Sequence, residues 1–393
     1  MQESRPTETP SPPPSASPGP PAGGRGPSVY DVARFAQVST ATVSRYFRSP
    51  DKLSPSTLLR VRQAVERLGY LPSGLARGLA ERRTGMVGLY SFSGHEPDEL
   101  ERPRLGAPGA VPRLVEQGRE PRLFPLFADE VLGGVEIECT LRRLPLAIGW
   151  QDGEGGGVQL DEIARRCDGV IVLPAIVDDA HLSLLARRLP VVLIAQPAPE
   201  GVAATSVTVD NAAGMTALAA HLCDDHGAAS FWYAGPVDGA DHRARFEGFA
   251  AALAGRGLAT PDGPIIATGS RAGSRAALRE LLGRRPELLG GLPDAVVCSS
   301  DQTALGVIAA FGEHGVAVPG RVAVTGFDGI DAGRMSEPPL TTIRQPMGEL
   351  GREAVALLAK LLAGEVDPSA SVVLPVSLAI RQSCGCPAPA SAR

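Results

Sequence analysis

The stretch that decides the fold of the N-terminal part of this chain is VYDVARFAQVSTATVSRYF, residues 29–47. Apolar and small residues recur at helical spacing as far as Ala36, and Ser39 is a suitable N-cap for a second helix ending near Phe47. The pattern predicts a helix, a tight turn and a second helix. Such a pair lets the second helix enter the major groove of DNA while the first braces it against the phosphates.

A third helix is expected directly afterwards. Ser54 is its N-cap, Pro55 occupies the first helical position, where its missing N–H costs nothing, and Gly69 ends it. One apolar stripe runs along it: Leu58, Val61, Val65 and Leu68. Residues 28–71 are therefore predicted to form a three-helix, helix-turn-helix head.

The distribution of charge supports this interpretation when net charge is counted separately for each segment of the chain. The net charge is −5, but residues 28–84 contain ten Arg and Lys against four acids, a balance of +6. Residues 1–27 balance at zero, so residues 85–393 have a charge of −11. A basic head on an acidic body suggests that the head binds a polyanion.

Five residues of the second helix are the candidates for contacts with base edges or phosphates. Arginine can pair with guanine through two hydrogen bonds, and hydroxyl groups serve bases or phosphates. The candidates are Thr40, Ala41, Thr42, Ser44 and Arg45.

Composition excludes several other classes of protein. The first 27 residues contain nine prolines and no apolar run, which predicts a disordered tail and gives no secretory signal. No stretch approaches the roughly 20 apolar residues of a membrane helix, so a cytoplasmic, nucleoid-associated protein is expected. The six cysteines and six histidines show no metal-ligand spacing, and only Cys384 and Cys386 lie close together. No metal and no cofactor are predicted.

After Thr84 the chain alternates short apolar runs with amphipathic stretches, the pattern of an α/β fold with parallel sheets. The clearest runs are 86–90, 169–173, 191–194, 295–298 and 322–326. The helical stretches are 128–144, 158–167, 178–189, 211–224, 242–255, 271–283, 301–314 and 346–363. These units are too many for one ordinary sheet, so two lobes with a crevice between them are expected.

Several separate motifs, in order, resemble those of the LacI/GalR (lactose-repressor) family over about residues 28–384. Beyond the helix-turn-helix they are LSPST (53–57), LGYLPS (68–73), DN (210–211), RFEGF (245–249), SDQTALG (300–306), TGFD (325–328) and PLTTIRQP (339–346).

The resemblance implies a periplasmic-binding-protein-like effector core whose two lobes are joined by three crossovers, and a homodimer on a near-palindromic DNA operator. It divides the chain into a tail (1–27), a head (28–71), a hinge (72–84), a core (85–384) and a C-terminal tail (385–393). Within the core it places 85–208 and 327–342 in the N-lobe, and 209–326 and 343–384 in the C-lobe.

The resemblance also assigns residues in the hinge. Ser73 can cap a short hinge helix, Arg77 lies within it, and Leu79 matches an apolar wedge that enters the minor groove. Gly74 and Gly78 each weaken this helix by roughly 0.5–1 kcal/mol, so it should form only on DNA.

In the core the resemblance implies a small-molecule effector, with sugars first and nucleosides behind, held by Arg245 and Asp301, with Arg243 a weaker candidate. A guanidinium and a carboxylate facing each other across a cleft can orient hydroxyl groups. The alternatives left open are an ion pair for Arg245 and a helix N-cap for Asp301.

The sequence departs from the family at three places. Residues 91–125 interrupt the passage from the first strand to its helix and are interpreted as an insertion at the cleft mouth or dimer face. Gln37 replaces the glycine of the helix-turn-helix turn, which implies modest strain. The glycine-rich segment 152–157 lacks phosphate-loop spacing and is expected to be a flexible loop.

The sequence therefore predicts a DNA-binding transcriptional regulator, a repressor, controlled by an effector between two lobes. A regulator without small-molecule control and a cytosolic solute receptor are the alternatives. An enzyme is not expected, because no paired nucleophile and base, phosphate loop or metal cluster is visible.

Overall fold

The computed structural model describes residues 27–70, 84–92, 126–151, 156–174 and 177–388. They belong to two compact units, one ending at Thr84 and the other beginning at Gly85. No helix within these ranges combines the length and apolar composition that crossing a membrane requires.

The head consists of three helices around a small apolar core, as the sequence predicted. The helices are α1 (Val29–Ala36), α2 (Thr40–Arg48) and α3 (Pro55–Leu68), with a 3₁₀ turn at Pro50–Lys52. The buried core is formed by Val32, Ala33, Ala36, Val43, Val61, Ala64 and Tyr70. Small side chains on α1 and α2 let the two helices approach closely.

Local contacts fix where these helices begin and end. The Ser39 hydroxyl accepts the backbone N–H of Thr42 at 3.1 Å, and Ser54 caps α3 in the same way. Gln37, between α1 and α2, has a φ of 53° and so lies in the left-handed region that favours glycine. The turn expected at this position is present, with the strain that a side chain there implies.

The second unit begins with a six-stranded parallel sheet, ordered β10-β5-β4-β3-β1-β2. Its strands are β1 (Val87–Phe92), β2 (Leu146–Gln151), β3 (Gly169–Val172), β4 (Val191–Ile194), β5 (Thr205–Val209) and β10 (Ser371–Leu374). The helices of this first lobe are α4 (Phe127–Arg142), α5 (Gly156–Arg166), α6 (Asp179–Ala186) and α12 (Met347–Ala363). Strands β3 and β4 are buried along their whole length, which explains their unbroken apolar sequences.

A five-stranded sheet, ordered β11-β9-β8-β7-β6, forms the second lobe, and only the β11–β9 pair is antiparallel. Its strands are β6 (Phe231–Ala234), β7 (Ala295–Cys298), β8 (Ala323–Asp328), β9 (Thr341–Arg344) and β11 (Ser377–Ala379). Its helices are α7 (Asn211–Ala220), continued by a π-helical turn at His221–Asp225, then α8 (Ala240–Ala254), α9 (Arg271–Arg284), a 3₁₀ turn at Pro286–Gly291, α10 (Asp301–Glu313) and α11 (Asp331–Arg334).

The lobe assignment expected for residues 327–384 was wrong in part. Residues 327–342 were placed in the first lobe, yet β8 pairs with β7 and β9 pairs with β8 in the second sheet. Residues 343–384 were placed in the second lobe, yet α12 packs on the first sheet and β10 extends it. The chain does cross between the lobes three times, after β5, β9 and β10.

Helices α4 and α12 pack closely enough to require glycine. A Cβ atom at Gly134 would overlap the carbonyl oxygen of Gly348, and one at Gly351 would overlap that of Val131. The first lobe therefore joins residues more than 200 positions apart through direct backbone contact.

Candidate functional site

The face of α2 that was expected to meet DNA is accessible. Ala41 and Arg45 are exposed, and Thr40, Thr42 and Ser44 are half-buried. The Thr42 hydroxyl lies 2.9 Å from that of Ser39, so part of its hydrogen bonding serves the helix cap. The predicted hinge residues Ser73, Arg77 and Leu79, and residues 93–125 of the proposed insertion, lie outside the described residues.

A cavity of about 520 Å³ lies between the two lobes of the core. The first lobe contributes the start of α4 at Phe127 and the segments that follow β3 and β4, including 195–199. The second lobe contributes 238–242, Arg245, Ser300, Gln302 and Asp328. Ligands of α/β proteins bind at such a crevice beyond the carboxyl ends of the strands.

Arg245 lies at the centre of a buried polar network on one wall of this cavity. Its Nε donates to Asn211 Oδ1 at 3.0 Å, and its Nη1 donates to the Ser299 carbonyl at 2.7 Å and to Asp328 Oδ1 at 3.3 Å. Its Nη2 donates to Asp241 Oδ2 at 3.2 Å, and the guanidinium lies 3.9 Å from the centre of the Phe327 ring. These contacts fix the orientation of the guanidinium before any ligand arrives. An arginine has five N–H donors, and within the described part of the chain these contacts leave one N–H of Nη2 for a further acceptor.

Asp328 is the carboxylate that faces Arg245 at the cavity. It ends β8 with a φ of 122°, a conformation that L-residues rarely adopt and that often marks a functional site. Gln345 Nε2 donates to its Oδ1 at 2.7 Å. Burial raises the pKa of Asp328 to about 6, against the opposing effect of Arg245 and the Gln345 hydrogen bond.

His242 adds an unsatisfied polar atom to the same wall. Its Nδ1 is buried and has no hydrogen-bond partner among the described residues. Burial, and then the positive charge of Arg245, lower the pKa of His242 to about 4, so the ring is neutral at physiological pH. A buried ring nitrogen without a partner is a ready contact for a polar ligand.

The other two predicted effector residues lie elsewhere. Arg243 is exposed and does not line the cavity, because two positions along a helix place side chains on nearly opposite faces. Asp301 is fully buried, and its two neighbours Ser300 and Gln302 line the cavity instead.

Asp301 holds the backbone that follows β8. Its Oδ2 accepts the N–H groups of Gly329 and Ile330 at 2.8 and 2.9 Å, and its Oδ1 accepts the Thr342 hydroxyl at 2.5 Å. The N-cap of α10 is Ser300, so the capping role considered for Asp301 belongs to its neighbour. Asp301 therefore supports Asp328 from behind the cavity wall.

Comparison with known proteins agrees with this architecture. Residues 28–73 match the bacterial regulatory proteins of the lacI family, and residues 219–384 match the periplasmic binding protein-like domain. The HTH-type transcriptional repressor CytR of Escherichia coli is 31% identical over 366 residues, which cover 91% of this chain and 96% of CytR. The chain belongs to the lacI family of bacterial regulatory proteins. It is therefore a DNA-binding transcriptional regulator, and the predicted family and fold class are confirmed.

Solved structures of lacI-family regulators share its fold. The Lac repressor dimer bound to operator and the anti-inducer ONPF is 22% identical with a TM-score of 0.72, and the match covers 92% of this chain and 99% of that one. The CelR–cellobiose complex is 27% identical with a TM-score of 0.61, and the match covers 91% and 99%.

Among the charged and polar residues that line the cavity, the sequence analysis named Arg245 but not Asp328, Asp241 or His242. Asp328 closes the TGFD motif, which was used for the family resemblance and given no role. The position of Asp328 in the sequence could have identified it, because it ends a buried parallel strand. Folds of this kind bind ligands at the carboxyl ends of such strands.

Proposed function

We propose that this lacI-family regulator binds a near-palindromic operator as a homodimer and represses transcription, and that a small molecule held between its lobes controls the binding. Helix α2 presents Thr40, Ala41, Thr42, Ser44 and Arg45 to the major groove, and Ser73, Arg77 and Leu79 serve the hinge. The protein acts on DNA in the cytoplasm, associated with the nucleoid.

The observation that carries the proposal is the cavity wall made by Arg245, Asp328 and His242. On one wall of the cavity these side chains offer a guanidinium N–H, a carboxylate, and a ring nitrogen that has no partner among the described residues. A volume of about 520 Å³ suits a small polar molecule. Because both lobes line the cavity, a ligand that contacts both favours one lobe arrangement over the other.

The charge of the lining points to a neutral ligand rich in hydroxyl groups. The described lining residues include four carboxylates and one guanidinium: Asp179, Asp238, Asp241, Asp328 and Arg245. This excess of negative charge disfavours phosphates and carboxylates, while carboxylates accept hydroxyl hydrogens well. A sugar is therefore the proposed effector, and CelR, a similar regulator, has a solved complex with cellobiose.

A thermal-shift screen on the full-length protein tests the effector. Neutral mono- and disaccharides, their phosphate esters and nucleosides are compared, and we expect a neutral sugar to raise Tm. At a sugar concentration of a hundred times Kd, binding should increase the free energy of unfolding by about 2.7 kcal/mol. Asp328→Asn should weaken the binding of that sugar by about 1.5–3 kcal/mol because a charge-assisted hydrogen bond is lost. Operator affinity without sugar should remain unchanged.

Arg243→Ala is the matched control, since this exposed arginine lies two residues from Arg245 on the same helix. Its sugar affinity should equal that of the wild type. Operator affinity is measured by fluorescence anisotropy, on an operator selected from random duplexes. If the sugar binds but operator affinity does not change, control by the cleft is refuted. A panel in which no compound raises Tm would instead favour a regulator without small-molecule control.

A further inference from the structure

Four metal-ligating side chains meet at the C-terminal end of the core, away from the cavity. They are His221, His226, Cys384 and Cys386, and one donor atom of each lies within 4.8 Å of the others. In the sequence only Cys384 and Cys386 are neighbours, because the two histidines lie about 160 residues before them. Cys384 and His221 are each 4% exposed, while Cys386 and His226 are half-buried, so an ion could reach the cluster from solvent on one side.

Four of the six distances between donor atoms are close to those of a tetrahedral zinc site. With Zn–N near 2.0–2.1 Å and Zn–S near 2.3 Å, a regular tetrahedron separates two nitrogens by about 3.3 Å, and a nitrogen from a sulfur by about 3.6 Å. The Nε2 atoms of His221 and His226 are 3.3 Å apart. Nε2 of His221 lies 3.4 Å from Cys384 Sγ and 3.8 Å from Cys386 Sγ, and Nε2 of His226 lies 3.3 Å from Cys386 Sγ.

Backbone geometry on both sides of the cluster produces this spacing. Helix α7 changes to a π-helical turn at His221–Asp225, and this wider turn brings His226 back beside His221. π-Helical turns are rare in proteins, and those that occur are often at functional sites. On the other side Gly385, at a φ of 105°, reverses the chain between the two cysteines in a conformation that favours glycine.

Neighbouring side chains orient the His221 ring and favour the thiolate form of Cys384, as a metal site requires. Nδ1 of His221 lies 2.7 Å from Asp225 Oδ2, which fixes the hydrogen on Nδ1 and leaves Nε2 free to bind a metal ion. The Thr341 hydroxyl donates to Cys384 Sγ at 3.1 Å, a contact that favours the thiolate. Metal sites commonly have such outer hydrogen bonds, and they raise affinity for the ion.

We propose that His221, His226, Cys384 and Cys386 form a structural zinc site that fastens the C-terminal segment of the chain to the end of α7. Two imidazoles and two thiolates are a ligand set that zinc prefers, and four protein ligands leave no open position for chemistry on a substrate. The site is separate from the effector cavity and does not depend on the proposed effector.

The test measures zinc in the full-length protein, purified with a tag that binds no metal and without chelator. Mass spectrometry of the metal content should find one zinc per chain. Replacement of the zinc by Co²⁺ should give a sulfur-to-metal charge-transfer band and the visible bands of tetrahedral cobalt. Zinc removal by a chelator should lower Tm, and one equivalent of Zn²⁺ should restore it.

The variants Cys386→Ser and His226→Gln change the two half-buried ligands, so they disturb the core least. Each should lose the bound zinc and the cobalt band. Asp225→Asn should keep the ligand set but weaken zinc affinity roughly 10- to 100-fold. Cys223→Ser is the matched control, because this free cysteine lies in the same π turn outside the cluster and its loss should leave the zinc content unchanged.

The proposal is overturned by wild-type protein that holds no zinc and shows no cobalt band, or by variants that keep one zinc per chain. A thiol titration that finds Cys384 and Cys386 joined in a disulfide would also overturn it. If a variant fails to fold, chelation and restoration of the wild type decide the question, and a Tm that does not respond to either counts against the site.

Discussion

At the scale of the single residue, Asp328 should make stability depend on pH in an unusual direction. Its folded-state pKa is raised to about 6, above the ordinary 3.8, so the folded state binds a proton more readily than the unfolded state. Its contribution to stability is therefore fully present below about pH 4 and is lost as pH rises through about 6. Asp328→Asn removes this titration, so Tm of the variant minus Tm of the wild type should grow between pH 5 and 7 by roughly 2–5 °C. A difference that stays constant over this range, measured by calorimetry, would contradict the raised pKa.

The same residues show how far sequence reasoning reaches within a site. Arg245 was named because it matches a ligand-binding position of the family that the sequence resembles, and its side chain lies at the cavity. The family resemblance favoured Asp301 over Asp328, whereas the structure buries Asp301 and places Asp328, at the end of β8, in the cavity lining. Their backbones separate them: Asp301 points inward at the start of α10 to accept two N–H groups, whereas Asp328 points to the cavity at a positive φ.

At the scale of the helix, two adjacent glycines of α4 should respond in opposite ways to alanine. A Cβ at Gly134 overlaps the Gly348 carbonyl of α12, whereas a Cβ at Gly133 meets nothing within 4 Å. Gly134→Ala should therefore destabilise the core by about 1–3 kcal/mol through overpacking. Gly133→Ala should stabilise it by up to about 1 kcal/mol through helix propensity. Urea denaturation measures both, and equal effects of the two substitutions would show that α4 and α12 do not pack through this contact.

Elements were predicted well where their signals are local. The caps Ser39 and Ser54 and the stop at Gly69 set the head helices within a residue or two of their observed bounds. The π turn after α7 was not foreseen, because residues 211–224 keep helical periodicity while the backbone widens. The cluster of cysteines and histidines was missed for the same reason, since it depends on that turn and on contacts across the lobe.

At the scale of the whole molecule, the sequence predicted two lobes but misplaced segments after residue 326. The strands β9 and β10 have patterns that suit either sheet, and only their pairing with β8 and β5 decides between the lobes. Strand pairing depends on contacts between distant parts of the chain, so it cannot be predicted from hydrophobic periodicity or from helix caps.

The division of charge over the whole chain makes its DNA binding testable. A net charge of −5 would predict weak attraction to DNA, but residues 28–84 carry +6, so attraction must come from the head. The logarithm of operator affinity should fall linearly with the logarithm of salt concentration, by about 0.9 per phosphate neutralised.

Arg45→Ala should weaken operator binding by about 1–3 kcal/mol while changing affinity for random duplex little, if its guanidinium pairs with a base. Arg284→Ala, which removes an exposed arginine of the core, is the control and should bind the operator like the wild type in anisotropy titrations. A reduced salt slope with equal losses on operator and random DNA would assign Arg45 to a phosphate instead, and an unchanged affinity would remove it from the interface.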